Sequence, residues 1–327
     1  MPLRTTSIAR RVLRRSAPGL AALALAAVAL TALAAAPAFA QATQTEEMER
    51  RAKVLRTLPE NAAKRIFGGR KQPAPLAARA IGSYARGCLA GATALPVNGE
   101  TWQVMRLSRN RNWGHPVLID FLSAFAAAVP QQVGWPGILV GDISQPRGGP
   151  MLTGHASHQI GLDADIWLTP MPRRELSRRE RETMPATNVV AEDWMDVNGK
   201  WTEGHARVIQ LAAVQDGVAR IFVNPAIKKA LCRSAGPDRA WLGKVRPMWG
   251  HNYHFHIRMA CPAGAASCKD QDPPPDGDGC GAELDRWLKQ QYNAIFNPKP
   301  PRGPSRAPRP WTLADLPDAC REVALAD

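Results

Sequence analysis

The sequence predicts an α+β domain, with a small antiparallel sheet at its core flanked by helices and long loops. Two stretches alternate with the period of a half-buried strand. They are Leu162-Asp163-Ala164-Asp165-Ile166-Trp167-Leu168 and Tyr253-His254-Phe255-His256-Ile257-Arg258-Met259. In each, apolar residues take one parity and polar residues the other, so each strand has a core face and a chemical face. Around them lie segments of helical period, without a regular strand–helix–strand series and without internal repeats.

Taken in order, residues 1–40 read as a secretory signal. Arg4, Arg10, Arg11, Arg14 and Arg15 precede an apolar run from Leu20 to Leu33, and Ala38-Phe39-Ala40 is a cleavage box. The mature chain is expected to begin near Gln41, with an uncleaved anchor as the rival reading. No other stretch approaches the roughly 20 apolar residues of a membrane span. Residues 41–72 read as a charged extension with a helix from Thr43 to Leu58, where Thr43 and Glu46 have capping-box spacing.

The globular domain is expected over residues 73–296. Trp102 to Leu107 reads as a short strand. Pro116 to Val129 has apolar residues at 117, 118, 121, 122 and 125, a helical period opened by Pro116 and closed by Pro130. Ile138 to Val140 is strand-like and leads into Gly148-Gly149-Pro150. From Leu168 to Asp196 the chain is charged and irregular, as in a surface excursion. Thr202 caps a helix running to about Asp216, and Val218 to Val223 reads as a buried strand. Asn224-Pro225 opens a helix ending at Gly236, and Ala282 to Tyr292 is a further helix. From Asn297 to Pro310, ten of fourteen residues are Pro, Lys or Arg, which predicts an extended linker within a basic tail over 297–327.

The formal charge is +14, and removing the signal takes away five arginines and no acid, leaving +9. Export argues against nucleic acid as the partner and favours acidic cell-envelope polymers, with scattered solvated charges as the bland alternative. All six cysteines (Cys88, Cys232, Cys261, Cys268, Cys280, Cys320) lie in the exported part. An even number in an oxidising compartment implies up to three disulfides, and no C-x-x-C spacing supports a zinc finger. Cys261 and Cys268 flank a short loop and are placed to pair locally; spacing alone leaves the others open.

The chemistry concentrates in the histidines. Seven occur in 327 residues, and three of them, His251, His254 and His256, lie in one short stretch. A second cluster, His155-Ala156-Ser157-His158, leads into the strand bearing Asp163 and Asp165. Imidazole and carboxylate are zinc ligands, and a catalytic site uses three of them plus water. His158, Asp165 and His256 make such a set. His followed seven residues later by Asp and completed by a distant His-x-His resembles the signature of the LAS metallopeptidases (lysostaphin, D-Ala-D-Ala metallopeptidases, sonic hedgehog).

Longer stretches sharpen that resemblance. Gly82-Ser83-Tyr84-Ala85-Arg86-Gly87-Cys88, Gly154 through Asp163, Arg220 through Lys228, Lys244-Val245-Arg246-Pro247 and Gly277-Asp278-Gly279-Cys280-Gly281-Ala282-Glu283-Leu284 are similar to the penicillin-insensitive murein endopeptidase family. The similarity runs from about residue 73 to 296. It implies the LAS metallopeptidase fold, zinc, a periplasmic location, and hydrolysis of peptide cross-links in peptidoglycan, typically the D-alanyl–meso-diaminopimelyl bond. It also implies the pairs Cys88–Cys320, Cys232–Cys280 and Cys261–Cys268, the first tying the tail back to the domain. His155 is placed near the metal, where some members hold a second ion with an Asp-x-x-His. Here that stretch reads Asp193-Trp194-Met195-Asp196, so a second site from His155, Asp193 and Asp196 lacks its histidine.

Among the remaining residues, His254 shares a face with His256 and is the expected general base, while His251 is expected to hydrogen-bond the oxyanion or the substrate. Asp163 is the alternative ligand, but the register of the family resemblance favours Asp165, and Asp163 is expected to bond backbone or a histidine. His115 reads as a helix-start histidine and His205 as an exposed helical position. Trp167 and Trp249 are either core or cleft residues, and Arg258 either binds a substrate carboxylate or forms a structural ion pair. Lys299, Arg302, Arg306 and Arg309 read as a solvated tail. Two functional classes compete: a zinc murein endopeptidase, with D,D-carboxypeptidase or L,D-endopeptidase specificity as the variant, and a non-catalytic peptidoglycan-binding protein with structural zinc. A structural zinc is closed by four protein ligands, whereas the motif supplies three with His254 beside them, which favours the enzyme.

Overall fold

The computed structural model describes residues 44–300 and 308–327; the expected signal segment, the Thr43 cap, Arg302 and Arg306 lie outside the described residues. The helices are α1 (Gln44–Thr57), α2 (Ala63–Gly69), α3 (Pro116–Gln132), α4 (Arg178–Thr183), α5 (Glu203–Ala213), α6 (Pro225–Ser234), α7 (Ala282–Phe296) and α8 (Ala319–Leu325). The strands are β1 (Arg79–Ser83), β2 (Arg86–Ala90), β3 (Thr93–Ala94), β4 (Trp102–Val104), β5 (Trp113–Gly114), β6 (Ile138–Val140), β7 (Asp163–Trp167), β8 (Val218–Val223), β9 (Val245–Pro247) and β10 (His254–Met259).

The fold is α+β. Its centre is a sheet in the order β4-β6-β7-β10-β8-β9, with two small hairpin sheets, β1-β2 and β3-β5, beside it. The four middle strands are antiparallel, and β4 and β9 join the edges in parallel, so the sheet is larger and more mixed than the alternating stretches alone suggest. Strands β7 and β10 are central neighbours, with His256 opposite Asp165, Arg258 opposite Asp163 and His254 opposite Trp167. Side chains alternate across a strand, so this register puts every polar residue of both strands on one face. Ala164, Ile166, Phe255 and Ile257 face the other way and are fully buried, packing with Leu118, Leu122 and Phe125 of α3.

Helix α3 starts as its sequence dictates: His115 is the N-cap, its Nδ1 accepting from Val117 N at 3.3 Å, with Pro116 in the first turn. It runs past Pro130, because proline removes only its own N–H and Val133 N still closes a turn onto Val129 O at 2.9 Å. Helix α5 departs from expectation at His205. That residue is buried, not exposed: Nδ1 accepts from Thr202 N at 3.0 Å, capping the helix, and Nε2 lies 3.0 Å from Leu168 O. The excursion after Leu168 is likewise anchored. Arg181 of α4 is buried and donates to Leu176 O, Val104 O and Gln103 Oε1, carbonyl acceptors that offset the cost of burying a guanidinium.

A smaller core joins α2, β2 and α8: Ala63, Phe67, Cys88, Leu316, Cys320 and Val323 pack together around the Cys88–Cys320 bond. Cys232–Cys280 and Cys261–Cys268 are also formed, and no cysteine is free among the described residues. No described helix is long and apolar enough to cross a membrane.

Candidate metal centre

Asp165 is the hub on the polar face of β7. Its Oδ1 lies 3.4 Å from His158 Nε2, 3.3 Å from His256 Nδ1 and 3.7 Å from His254 Nε2. Its Oδ2 faces the other way, 3.4 Å from His155 Nε2. The two oxygens therefore serve different histidines. The ligand atoms of His155, His158 and Asp165 lie within 4.8 Å of one another.

His158 is reached through a backbone turn with φ +66° and is wholly buried. Its Nδ1 lies 2.6 Å from Ile143 O, so Nδ1 carries the proton and donates, leaving the Nε2 lone pair directed at Asp165. That Nε2 and Asp165 Oδ1 are both buried without a hydrogen-bond partner. Unbonded acceptors are costly inside a protein, and two aimed at one another repel. A cation between them removes both penalties, so the residues fit a metal ion.

Asp163 supports the centre from behind. Its Oδ2 accepts from His158 N at 3.0 Å, and both oxygens accept from Arg258, Nε at 2.8 Å and Nη2 at 3.1 Å. His256 Nε2 stands 2.9 Å from Asp163 Oδ1, within ion-pair reach but off the N–H axis, so its well-aligned partner is missing. Arg258 is thus a structural ion pair, stacked over Tyr84 at 4.1 Å and Phe222 at 5.0 Å. Burial alone would raise the Asp163 carboxyl, but His256 and Arg258 hold it far below the usual carboxylate range. Burial would raise Asp165 too, and the surrounding histidines His254, His155 and His158 keep it ionised. His158 is pushed down by burial and by His155. His254 is lowered by burial to about 4 despite Asp165. His256 goes the other way: Asp163 and Asp165 overcome burial and raise it to about 9.

His251 sits at φ +51° on the turn before β10, with Nδ1 2.8 Å from Trp249 O and its ring 4.8 Å from that of His254. Trp249 is half exposed, whereas Trp167 is a core residue. The structure does not gather Asp193 and Asp196 with His155. Asp196 binds Arg233 through both oxygens, at 2.8 and 3.1 Å, and Lys229 at 3.3 Å, while Asp193 accepts from Met195 N. In their place stands Asp142, which sequence reasoning missed. It is buried, 3.1 Å from His155 Nε2, and held by Arg109 at 3.0 Å and Arg111 at 2.8 Å. Burial would raise Asp142, and these two arginines pull it well down. Its only signal in the sequence is an acid two residues past the apolar strand β6.

An imidazole–carboxylate set on one sheet face, with lone pairs left unbonded, is the donor set of a metal-dependent hydrolase. Residues 80–325 match the family model described as penicillin-insensitive murein endopeptidase, and the chain belongs to that peptidase family. A penicillin-insensitive murein endopeptidase from Haemophilus influenzae is 44% identical over 251 residues, covering 74% of this chain and 81% of that protein. Its counterpart from Salmonella heidelberg is 43% identical over 252 residues, covering 77% and 88%.

Proposed function

We propose that this chain is a zinc-dependent murein endopeptidase that hydrolyses peptide cross-links of peptidoglycan, typically D-alanyl–meso-diaminopimelyl bonds, in the periplasm. The observation that carries the reading is the pair of buried, unbonded acceptors His158 Nε2 and Asp165 Oδ1, 3.4 Å apart with His256 Nδ1 alongside. These three residues would hold the ion, sharing the Oδ1 side of the hub. His155 and Asp142 occupy the Oδ2 side and steady Asp165 from there; no second ion with Asp193 and Asp196 is proposed, since Asp196 is bound by Arg233 and Lys229. Zinc bound there supplies polarisation of the scissile carbonyl and activation of water near neutral pH.

The chain's own residues handle the proton. His254 Nε2 faces the hub, 3.7 Å from Asp165 Oδ1, and burial lowers the ring's pKa; with its proton on Nδ1, the Nε2 lone pair would take the proton of the attacking water. The same nitrogen returns it to the amine as the C–N bond breaks. His251 donates through Nδ1 to Trp249 O, which makes Nε2 an acceptor in the neutral ring. Burial keeps that ring neutral. In that tautomer His251 would bind a substrate N–H; as an imidazolium it would instead donate from Nε2 to the oxyanion. No serine nucleophile takes part, so an acylating β-lactam has nothing to acylate. The three disulfides fit an oxidising compartment.

The test is digestion of purified peptidoglycan with and without chelator, read by mass spectrometry. Conversion of cross-linked dimers to monomers with terminal D-alanine retained, abolished by chelator and restored by zinc, is expected. Release of free D-alanine alone would assign a carboxypeptidase instead, and binding without any product would leave only a peptidoglycan-binding protein.

A further inference from the structure

Helix α1 precedes the stretch matched by the family model, 80–325, and is polar and mostly exposed. Its inward positions are 47, 51, 54 and 55, one helical face, and among them Glu47 is 6% exposed. A carboxylate is not buried without a partner at acceptable cost. Its two oxygens have different partners: the Thr153 hydroxyl donates to Oε1, and Arg50 Nη1 of the same helix lies 3.8 Å from Oε2. Thr153 is in turn gripped by Arg111 Nη2, which donates to its carbonyl at 2.8 Å and its hydroxyl at 3.2 Å. Arg111 Nη1 donates to Asp142 Oδ2 at 2.8 Å, and that oxygen lies 3.1 Å from His155 Nε2. An unbroken polar line thus runs from the N-terminal helix to a histidine of the hub. Only Gly154, at φ +84°, separates Thr153 from His155 in the chain, so the two ends of the line share one turn. The far end of α1 is fastened as well, Arg65 Nη1 donating to Leu55 O at 2.8 Å and Leu58 O at 3.3 Å.

We propose that Glu47 is a positioning residue for the metal centre, clamping the Thr153–His155 turn from the N-terminal helix and so setting His155 against Asp165. Glu47 touches neither ion nor substrate; it acts through Thr153, Arg111 and Asp142. The inference rests on the metal-centre reading above.

The test uses the mature full-length chain with Glu47→Ala, Thr153→Val, the double variant and Glu47→Gln. Two readouts are taken: amide hydrogen exchange of the metal-free protein, and zinc retention against a competing chelator. Glu47→Ala is expected to speed exchange both in 44–57 and in 153–156 and to weaken zinc retention a few-fold, less than the roughly 10-fold lost when a group bonded directly to a metal ligand is removed. The double variant should be no weaker than the worse single, because both substitutions cut one line. Glu47→Gln, which keeps an oxygen for Thr153, should recover most of the retention even if Thr153→Val folds poorly. Faster exchange confined to 44–57 with unchanged zinc retention would overturn the proposal, as would a Gln variant as weak as the Ala variant. A wild-type chain that takes up no zinc would sink the metal-centre reading instead, while the exchange comparison would still judge the clamp.

Discussion

Replacing Asp163 with asparagine should separate the stability of the site from its metal affinity. The carboxylate is fully buried and accepts three N–H groups: His158 N at 3.0 Å, Arg258 Nε at 2.8 Å and Arg258 Nη2 at 3.1 Å. Asparagine turns one of its oxygens into a donor facing donors and leaves the Arg258 guanidinium without its counter-charge. Breaking a buried ion pair by removing one partner costs about 3–5 kcal/mol. Arg258 keeps Gln271 Oε1 at 2.7 Å and two aromatic faces, so the loss should fall near the lower end, about 3 kcal/mol. The same change removes the charge beside His256 Nε2 and the acceptor that fixes the His158 backbone, which should weaken zinc about 10–100-fold. Adding Arg258→Met should restore much of the stability, since no unpaired charge remains, but none of the affinity. Urea unfolding of the metal-free oxidised protein measures the first quantity and chelator competition the second. Wild-type stability in Asp163→Asn would show that Arg258 does not depend on this counter-charge, and recovery of zinc affinity in the double variant would show that Asp163 does not support the ligands.

Three further outcomes follow from other parts of the molecule. His254→Ala should keep its zinc while losing about 10²–10⁴ in turnover, as removal of a general base does; loss of the metal would make it a ligand. Paired Cys88→Ser and Cys320→Ser substitutions open a link between residues 232 apart, for which chain entropy gives about 5 kcal/mol; unchanged urea unfolding would show that α2 and α8 dock unaided. Lys228 is buried and lowered by that burial to about 7, its Nζ held by Leu242 O at 2.7 Å and Asp278 O at 2.5 Å. Above pH 7 the folded chain has released this proton and the unfolded chain still holds it up to its ordinary value of about 10.4. Stability should therefore rise with pH from 7 towards 9, by at most about 1.4 kcal/mol per unit. Lys228→Met should flatten that rise, and parallel curves for the two proteins would count against the lowered value.

Much of the centre was legible because strand parity is written in the sequence. Asp163 and Asp165 share a face by spacing alone, as do His254 and His256, and the observed register joins those faces. Strands β4 and β6 were visible only as short apolar runs; β9, three residues long, and hairpin β1-β2 gave no periodic signal. Asp142 and Glu47 escaped for a different reason. Each looks like an ordinary acid in sequence and acquires its role from Arg111 or Thr153 brought from elsewhere in the chain. His205 was misjudged because its helical position says nothing of Leu168 O, 37 residues earlier, which it meets in the fold. Spacing suggested Cys261–Cys268, whereas Cys88–Cys320 and Cys232–Cys280 came only with the family resemblance.

The measurement that bears most directly on the metal centre is an anomalous-diffraction map of the zinc-soaked protein, recorded on both sides of the zinc edge. One strong peak is expected, bonded to His158 Nε2, Asp165 and His256 Nδ1, with His254 beside it and unbound. A peak held by His155, His158 and Asp165 with His256 left out would contradict that ligand set.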